Sequence, residues 1–330
     1  MKRLLIIYNP RSSRASDVRS EVLDRLEMFS GCMVGRYEVA PTNLDDNISK
    51  LSSILRDDDL VISAGGDATG IIASNAILKS DKNAALAVLP YGNFNDLART
   101  LHTNTLESIA DSLTWMSSKS GESSSRGLDD AGGNKIRQDQ LRKTRDFYPL
   151  EIIVDGKFFR YATCYVTIGM TAEAVSIYDS PKMRAKLKKQ FGRKISSYTY
   201  LADWYFKNRH SKQFIPAFTL NGKAQSIKIT DYAAVNGRSM ARVMKGGEDY
   251  HDSVYFRSET DRLSSFWRLF KLMTKSIFSR IPGAATKCDT LEFACPATIT
   301  LQSEGESCQF KDIKKIEIRK SKKCLKVIEN

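Results

Sequence analysis

Paired cysteine motifs are missing from this 330-residue chain: Cys32, Cys164, Cys288, Cys295, Cys308 and Cys324 are scattered, with no CxxC spacing. That argues against a zinc site or a disulfide framework and leaves free thiols in a reducing compartment as the expectation. No apolar run approaches the roughly 20 residues of a membrane-spanning helix. The apolar stretch after Met1-Lys2-Arg3 is too short for a signal peptide and ends at Asn9-Pro10. A cytoplasmic location, with peripheral visits to a membrane face, is the expectation. Acidic residues are outnumbered, 38 Asp and Glu against 51 Lys and Arg, giving a formal net charge of +13. The excess suits either a solvated surface or attraction to an anionic partner. No helix-turn-helix, zinc-finger or RNA-binding signature accompanies it, so nucleic acid is not the expected partner.

What is present supports packed cores. The hydrophobic share is 42%, which argues against wholesale disorder, and the length suits two domains. The N-terminal half alternates strand and helix. Leu4–Tyr8 reads as a strand, and Asp17–Phe29 as a helix with Val18, Val22, Leu26 and Phe29 on one face. Met33–Val39 reads as a second strand, the Ile48, Leu51, Ile54, Leu55 stripe as a helix, and Leu60–Ile62 as a buried strand. Such alternation predicts a parallel sheet with helices on both sides.

The composition changes over residues 117–145, where Ser, Gly and charge dominate and little can be buried; a mobile insert or hinge is expected there. Beyond it the pattern is β-rich: Tyr148–Val154, Lys157–Phe159, Tyr161–Ile168, Gln213–Leu220, Ala224–Ile229 and Tyr232–Val235, with turns at Asp155-Gly156 and Asn221-Gly222. Helices are expected over Pro181–Arg209 and Asp261–Ile281, the second with a basic back. The domains are therefore expected at 1–146 and 147–330, the last segment being a candidate to return to the first.

Two glycine turns stand out. Leu60-Val61-Ile62 empties through Gly65-Gly66-Asp67 into an apolar helical run, and Ala87-Val88-Leu89 empties through Pro90-Tyr91-Gly92 into Asn95-Asp96-Leu97-Ala98-Arg99. A strand that turns into a helix through glycines presents bare N–H groups at a positive helix end, a geometry suited to phosphate. Ligands on parallel sheets sit beyond the carboxyl ends of the strands, where these turns and the Asn9–Ser13 turn are placed.

Taken together, NPRSS at 9–13, GGDAT at 65–69 and PYGNFNDLAR at 90–99 resemble the diacylglycerol kinase catalytic domain, the family that includes sphingosine and ceramide kinases and bacterial lipid kinases. Its signatures are N-P-x-S-G, G-G-D-G-T and P-x-G-T-x-N-D-x-A-R. The resemblance implies a doubly wound, Rossmann-like α/β domain followed by a β-sandwich-like lipid-side domain with inserted helices. It implies transfer of the γ-phosphoryl group of ATP to a diacylglycerol-like or sphingoid hydroxyl, with Mg²⁺. Nucleotide contacts would come from Asn9, Pro10, Arg11, Ser12, Ser13, Thr42, Gly65, Gly66, Asp67, Ala68, Thr69 and Asn93. Asp67 and Asp96 would act on the metal through water. More loosely, Gly169–Glu173, Asn236-Gly237 and Lys245-Gly246-Gly247 are similar to later family segments. Glu304-Gly305-Glu306 stands at the family's D-G-E, making Glu306 the base for the attacking hydroxyl, with Glu304 raising its proton affinity by like charge. Partners would be the lipid, a transient anionic membrane surface and a second copy of the chain.

The departures also matter. Ala68 stands for a glycine, Ile71-Ile72 for Asn-Glu, Asn93 for Thr, Ser13 for Gly and Glu304 for Asp. A retired kinase that binds nucleotide or lipid as a regulator is therefore an alternative. An NAD-kinase-like enzyme with a soluble substrate is another, since such enzymes also use a G-G-D turn; Asn95–Arg99 and the apolar C-terminal helices speak against it.

Overall fold

The structure, a computed structural model, describes residues 3–12, 14–26, 33–92, 95–101, 105–109, 144–178, 207, 217–225, 229–236, 239–240, 244–245, 254–260, 285–295 and 298–328. The chain divides into two units, Met1–Phe147 with Leu325–Asn330, and Tyr148–Cys324.

The first unit is built on one six-stranded sheet in the order β2-β1-β3-β4-β20-β5. Its strands are β1 (Arg3–Tyr8), β2 (Met33–Glu38), β3 (Leu60–Gly65), β4 (Ala85–Pro90), β5 (Thr144–Phe147) and β20 (Leu325–Ile328). All neighbours run parallel except β5, which is antiparallel to β20. Central β3 is buried at every residue, whereas edge β2 alternates between exposed and partly buried positions. That contrast is why Leu60–Gly65 carries nothing charged: both faces are covered by helices. Helical residues Ala15–Val18 (α1) pass through a π-helical turn, Arg19–Leu23, into Asp24–Leu26 (α2). Helix α3 (Leu44–Ile54) starts at Asn43, whose Oδ1 accepts from Asp46 N at 2.7 Å, satisfying one of the donors a helix start leaves open. Helix α4 (Asp67–Ser80) is buried from Thr69 through Leu78, and α5 (Asp96–Thr100) is short. At the foot of the sheet Arg3 holds Asp59, Nε to Oδ1 at 3.0 Å, and Arg56 N donates to Asp59 Oδ2 at 2.8 Å. The fold class is α/β, doubly wound, as expected.

The last strand lies inside this sheet. Lys326 pairs with Ala85 on β4, and Leu325 pairs with Phe147 on β5. Leu325 and Val327 are fully buried, so this segment carries core weight. Leu325→Ala is expected to cost about 2–5 kcal/mol, read as a lower denaturant midpoint; a midpoint within experimental scatter of the wild type would contradict it.

The second unit contains two antiparallel six-stranded sheets. One, ordered β10-β9-β16-β19-β6-β7, comprises β6 (Leu150–Val154), β7 (Lys157–Ala162), β9 (Ala217–Leu220), β10 (Lys223–Gln225), β16 (Thr290–Ala294) and β19 (Lys315–Lys320). The other, β15-β14-β11-β8-β17-β18, comprises β8 (Tyr165–Gly169), β11 (Ile229–Val235), β14 (Val254–Thr260), β15 (Ala285–Cys288), β17 (Thr298–Ser303) and β18 (Glu306–Lys311). A small ribbon pairs β12 (Ser239–Met240) with β13 (Met244–Lys245). Inward side chains from both large sheets, among them Ile152, Phe218, Phe293, Ile318, Val166 and Leu301, share one core. That is sandwich packing. Gly169 takes φ 106 where β8 gives way to α6 (Met170–Tyr178).

The Asp155-Gly156 and Asn221-Gly222 turns have positive φ at both residues, the two-residue hairpin geometry that Asp-Gly and Asn-Gly favour. Thr144 and Arg145, expected in the insert, instead begin β5: Arg145 Nη2 donates to Thr100 O at 3.2 Å, and pairing with β20 satisfies the backbone. The rest of the insert and the expected helix Asp261–Ile281 lie outside the described residues, as does Pro181–Arg209 apart from Lys207. Among the described residues no helix is long and apolar enough to cross a membrane.

Candidate functional site

Three turns occupy the carboxyl ends of neighbouring strands in the first unit. The first follows β1, where Asn9 Oδ1 accepts from Arg11 N at 3.0 Å and Asn9 O accepts from Ser12 N at 3.0 Å. This Asn folds the backbone back on itself, the mechanism by which Asn favours turns. Ser13 lies outside the described residues. Arg11 leans toward β2, its Nη2 3.4 Å from Val39 O. Thr42 is on the loop after β2, where buried Asn47 gathers the chain: its Nδ2 donates to Thr42 Oγ1 at 3.1 Å and to Asn43 O at 3.0 Å, and its Oδ1 accepts from Ala40 N at 2.9 Å.

The second and third turns touch each other. A Cβ added to Gly66 would lie 3.3 Å from Gly92 Cα, and one on Gly92 would overlap Gly66 Cα. A Cβ on Gly65 would lie 2.5 Å from Thr69 Oγ1. At Gly92 glycine is required by backbone meeting backbone, whereas at Gly65 the neighbour is the Thr69 side chain. Gly92→Ala is accordingly expected to lower stability by about 1–3 kcal/mol, read by denaturant unfolding; an unchanged midpoint would contradict the contact. Asn95 fixes the third turn: in left-handed conformation at φ 55, it accepts from Gly92 N at 2.7 Å through Oδ1 and donates to Pro90 O at 3.2 Å through Nδ2. Asn93 lies outside the described residues.

Asp67 opens α4 and Asp96 opens α5. Asp67 Oδ1 accepts from Leu97 N at 3.1 Å, tying the two helix starts together. Burial first, then the nearby charge of Asp96, pushes the Asp67 carboxyl up to about 6. Asp96 is buried and paired with Arg99. Two carboxylates so close favour a cation between or beside them. Among the described residues no three His, Cys, Asp or Glu side chains cluster as a metal cage, and a two-carboxylate set fits a hard cation that keeps part of its water shell.

Ala68, Thr69, Ile71 and Ile72 belong to α4, and all but the partly buried Ala68 are buried. Ala68 is helical and needs no positive φ, so a Cβ costs its own backbone nothing at that position. Ile71 and Ile72 are core residues, 0% and 2% exposed.

The sequence-based candidates Glu304 and Glu306 belong to the second unit. Glu304 and Gly305 form the two-residue turn between β17 and β18, at φ 52 and 92. Glu304 is buried, and its Oε1 accepts from Cys164 N. Glu306 is partly buried, starts β18 and pairs with Ser303. Asn236 is wholly buried and donates to Tyr148 O at 2.9 Å and Thr163 O at 3.0 Å, so it holds backbone together.

Residues 3–123, which carry all three turns, match the family model described as the diacylglycerol kinase catalytic domain. That match is confined to the first unit's segment. It is similar to the diacylglycerol kinase of Bacillus subtilis (strain 168), 35% identical over 103 residues, 31% of this chain and 33% of the relative. The similarity to that of Staphylococcus carnosus (strain TM300) is 34% over 106 residues, 32% of this chain and 34% of the relative. The match thus spans about a third of these relatives' length. A crystal structure described as a diacylglycerol kinase from Bacillus anthracis str. Sterne superposes with a TM-score of 0.57 at 12% identity, covering 100% of this chain and 97% of that one. At such identity the likeness concerns the fold.

Within the matched segment, Arg14, Tyr91 and Glu21 were not among the candidates expected from the sequence. Arg14 Nη1 is 3.4 Å from Pro90 O, its Cζ is 5.0 Å from the Tyr91 ring centroid, and Tyr91 donates to Glu21 Oε2 at 2.9 Å. Burial and that hydrogen bond push the Tyr91 hydroxyl up to about 12, so it stays a donor. A basic residue directly after NPRSS and an aromatic one beside Gly92 were the available signals.

Proposed function

We propose that this protein is an ATP-dependent lipid kinase, transferring a γ-phosphoryl group to a lipid hydroxyl. The observation that carries the reading is the contact between the Gly66 and Gly92 turns, with Asp67 and Asp96 at the helix starts beside them. The matching family segment supports the same chemistry. Bare N–H groups at the start of α4 would receive phosphate oxygens, and the Asn9–Ser12 turn would close on the nucleotide. Asp67 and Asp96 would hold Mg²⁺ through water; the ion, when bound, supplies neutralisation of charge on the transferring phosphoryl group. Glu306 would accept the proton of the attacking hydroxyl. Glu304, anchored on Cys164 N, would hold the hairpin that presents Glu306.

Phosphoryl transfer tested with diacylglycerol, sphingosine, NAD and a sugar phosphate separates this reading from a soluble-substrate kinase. Activity confined to the lipids is expected. Tight ATP binding with no acceptor phosphorylated would favour a retired regulator. Because the chain is strongly basic, with net charge +13, binding to anionic vesicles is expected to weaken steeply with salt as charges beyond about 8 Å are screened. Equal binding to neutral and anionic vesicles would return the charge to an ordinary solvated surface.

A further inference from the structure

One arginine lies within the first turn and another just after it, and they lean in opposite directions. In the order β2-β1-β3-β4, Arg11 reaches back to Val39 O, just after β2. Arg14 reaches forward to Pro90 O at the end of β4, so its side chain bridges across the end of β3. That end is where Gly65 and Gly66 open the phosphate-facing turn, and Tyr91 N is itself bonded to Gly65 O at 3.1 Å. The guanidinium is held on several sides: Nε on Asp17 Oδ2 at 2.7 Å, Nη1 on Pro90 O at 3.4 Å, and the Tyr91 ring 5.0 Å from Cζ. Tyr91 is in turn fixed by Glu21. Among the described residues Nη2 makes no hydrogen bond, and the side chain is 42% exposed.

An exposed Arg–Asp pair three residues apart contributes little to stability by itself. Holding an arginine fork by a carbonyl and an aromatic face restricts its rotamers, which has a use if the open edge of the fork meets a planar or tetrahedral anion. We propose that Arg14 is a further binding residue for the terminal phosphates of the nucleotide, with Tyr91 its positioning residue. This rests on the ATP reading above. Arg14 supplies a fixed positive charge where the α4 start supplies backbone donors, and the two kinds of donor converge on the end of β3. Adenosine, which lacks phosphates, makes no use of Arg14.

The test is equilibrium binding of ATP and of adenosine to the full-length protein, wild type against Arg14→Gln, Arg14→Lys and Tyr91→Leu. Arg14→Gln is expected to weaken ATP binding about 10- to 100-fold, the effect of losing a charged hydrogen bond, with adenosine affinity unchanged. Arg14→Lys keeps the charge without the fork and is expected to fall between Arg14→Gln and the wild type, which also guards against misfolding of the Gln variant. Tyr91→Leu is expected to lose about 2- to 5-fold for ATP alone, as a cation–π contact does. If wild type prefers ATP strongly over adenosine and both Arg14 variants keep that preference in full, the Arg14 assignment is overturned and the site stands. If wild type itself shows no preference for ATP over adenosine, the nucleotide reading falls and takes this inference with it.

Discussion

Asp67→Asn is expected to lower phosphoryl transfer at least about 100-fold while making the metal-free protein more stable above pH 6. The carboxyl is pushed up from 3.8 to about 6 by burial and by Asp96, so its ionised form is disfavoured in the folded state. Between those two values the folded protein binds more protons than the unfolded chain, and stability falls as pH rises. Above about 6 the penalty is complete, at most about 3 kcal/mol for a shift of this size. Asn is close in shape, and its Oδ1 can still accept from Leu97 N. The variant should therefore melt higher than wild type at pH 8 in EDTA, and the advantage should vanish at pH 4. Calorimetry at both values checks this. Equal melting temperatures at both pH values would contradict the crowding of Asp67 by Asp96, and undiminished turnover would end the assignment of the Gly65–Thr69 turn.

Glu306→Gln is expected to reduce turnover by about 10²–10⁴-fold, the effect of losing a general base, with ATP affinity nearly intact. The turns proposed to hold nucleotide belong to the first unit and Glu306 to the second, so binding and proton transfer should separate cleanly. Glu304 plays a different part in this account. It sits at φ 52 in a two-residue turn, a conformation Asp tolerates better than a longer side chain does. Glu304→Asp is expected to keep or raise turnover, the relaxed backbone offsetting a weaker bond to Cys164 N. A full rate in Glu306→Gln would place the base elsewhere. A collapse of turnover in Glu304→Asp would mean that the Cys164 anchor, rather than the turn, positions Glu306.

The fold was legible wherever local chemistry repeats a period. Leu60-Val61-Ile62 reads as a buried strand because β3 is covered on both faces, and the apolar run from Gly70 reads as a helix because α4 is buried nearly all round. Asp155-Gly156 and Asn221-Gly222 announced their hairpins through residues that accept positive φ. Relations between distant segments were harder to read. Nothing in the sequence states that Arg14 meets Pro90, 76 residues away, or that Gly66 and Gly92 touch. The strand Thr144–Phe147 was hidden by the polar stretch before it, since TRDF has one apolar residue in four and is a strand through its pairing with β20. Ala68 looked costly because its motif position suggested a special backbone, yet it is an ordinary helical residue. Glu304 was legible as a carboxylate beside Glu306, while its burial and its bond to Cys164 depend on pairing between β8 and β17.

The central claim is transfer of a phosphoryl group from ATP to a lipid hydroxyl, and incubation with γ-labelled ATP and a mixed lipid extract tests it most directly. The account predicts label in an organic-phase phospholipid-like product, dependent on Mg²⁺ and lost in Asp67→Asn and Glu306→Gln. ATP bound tightly by the wild type with no label entering any lipid, across diacylglycerol, sphingoid and long-chain alcohol fractions, would contradict it.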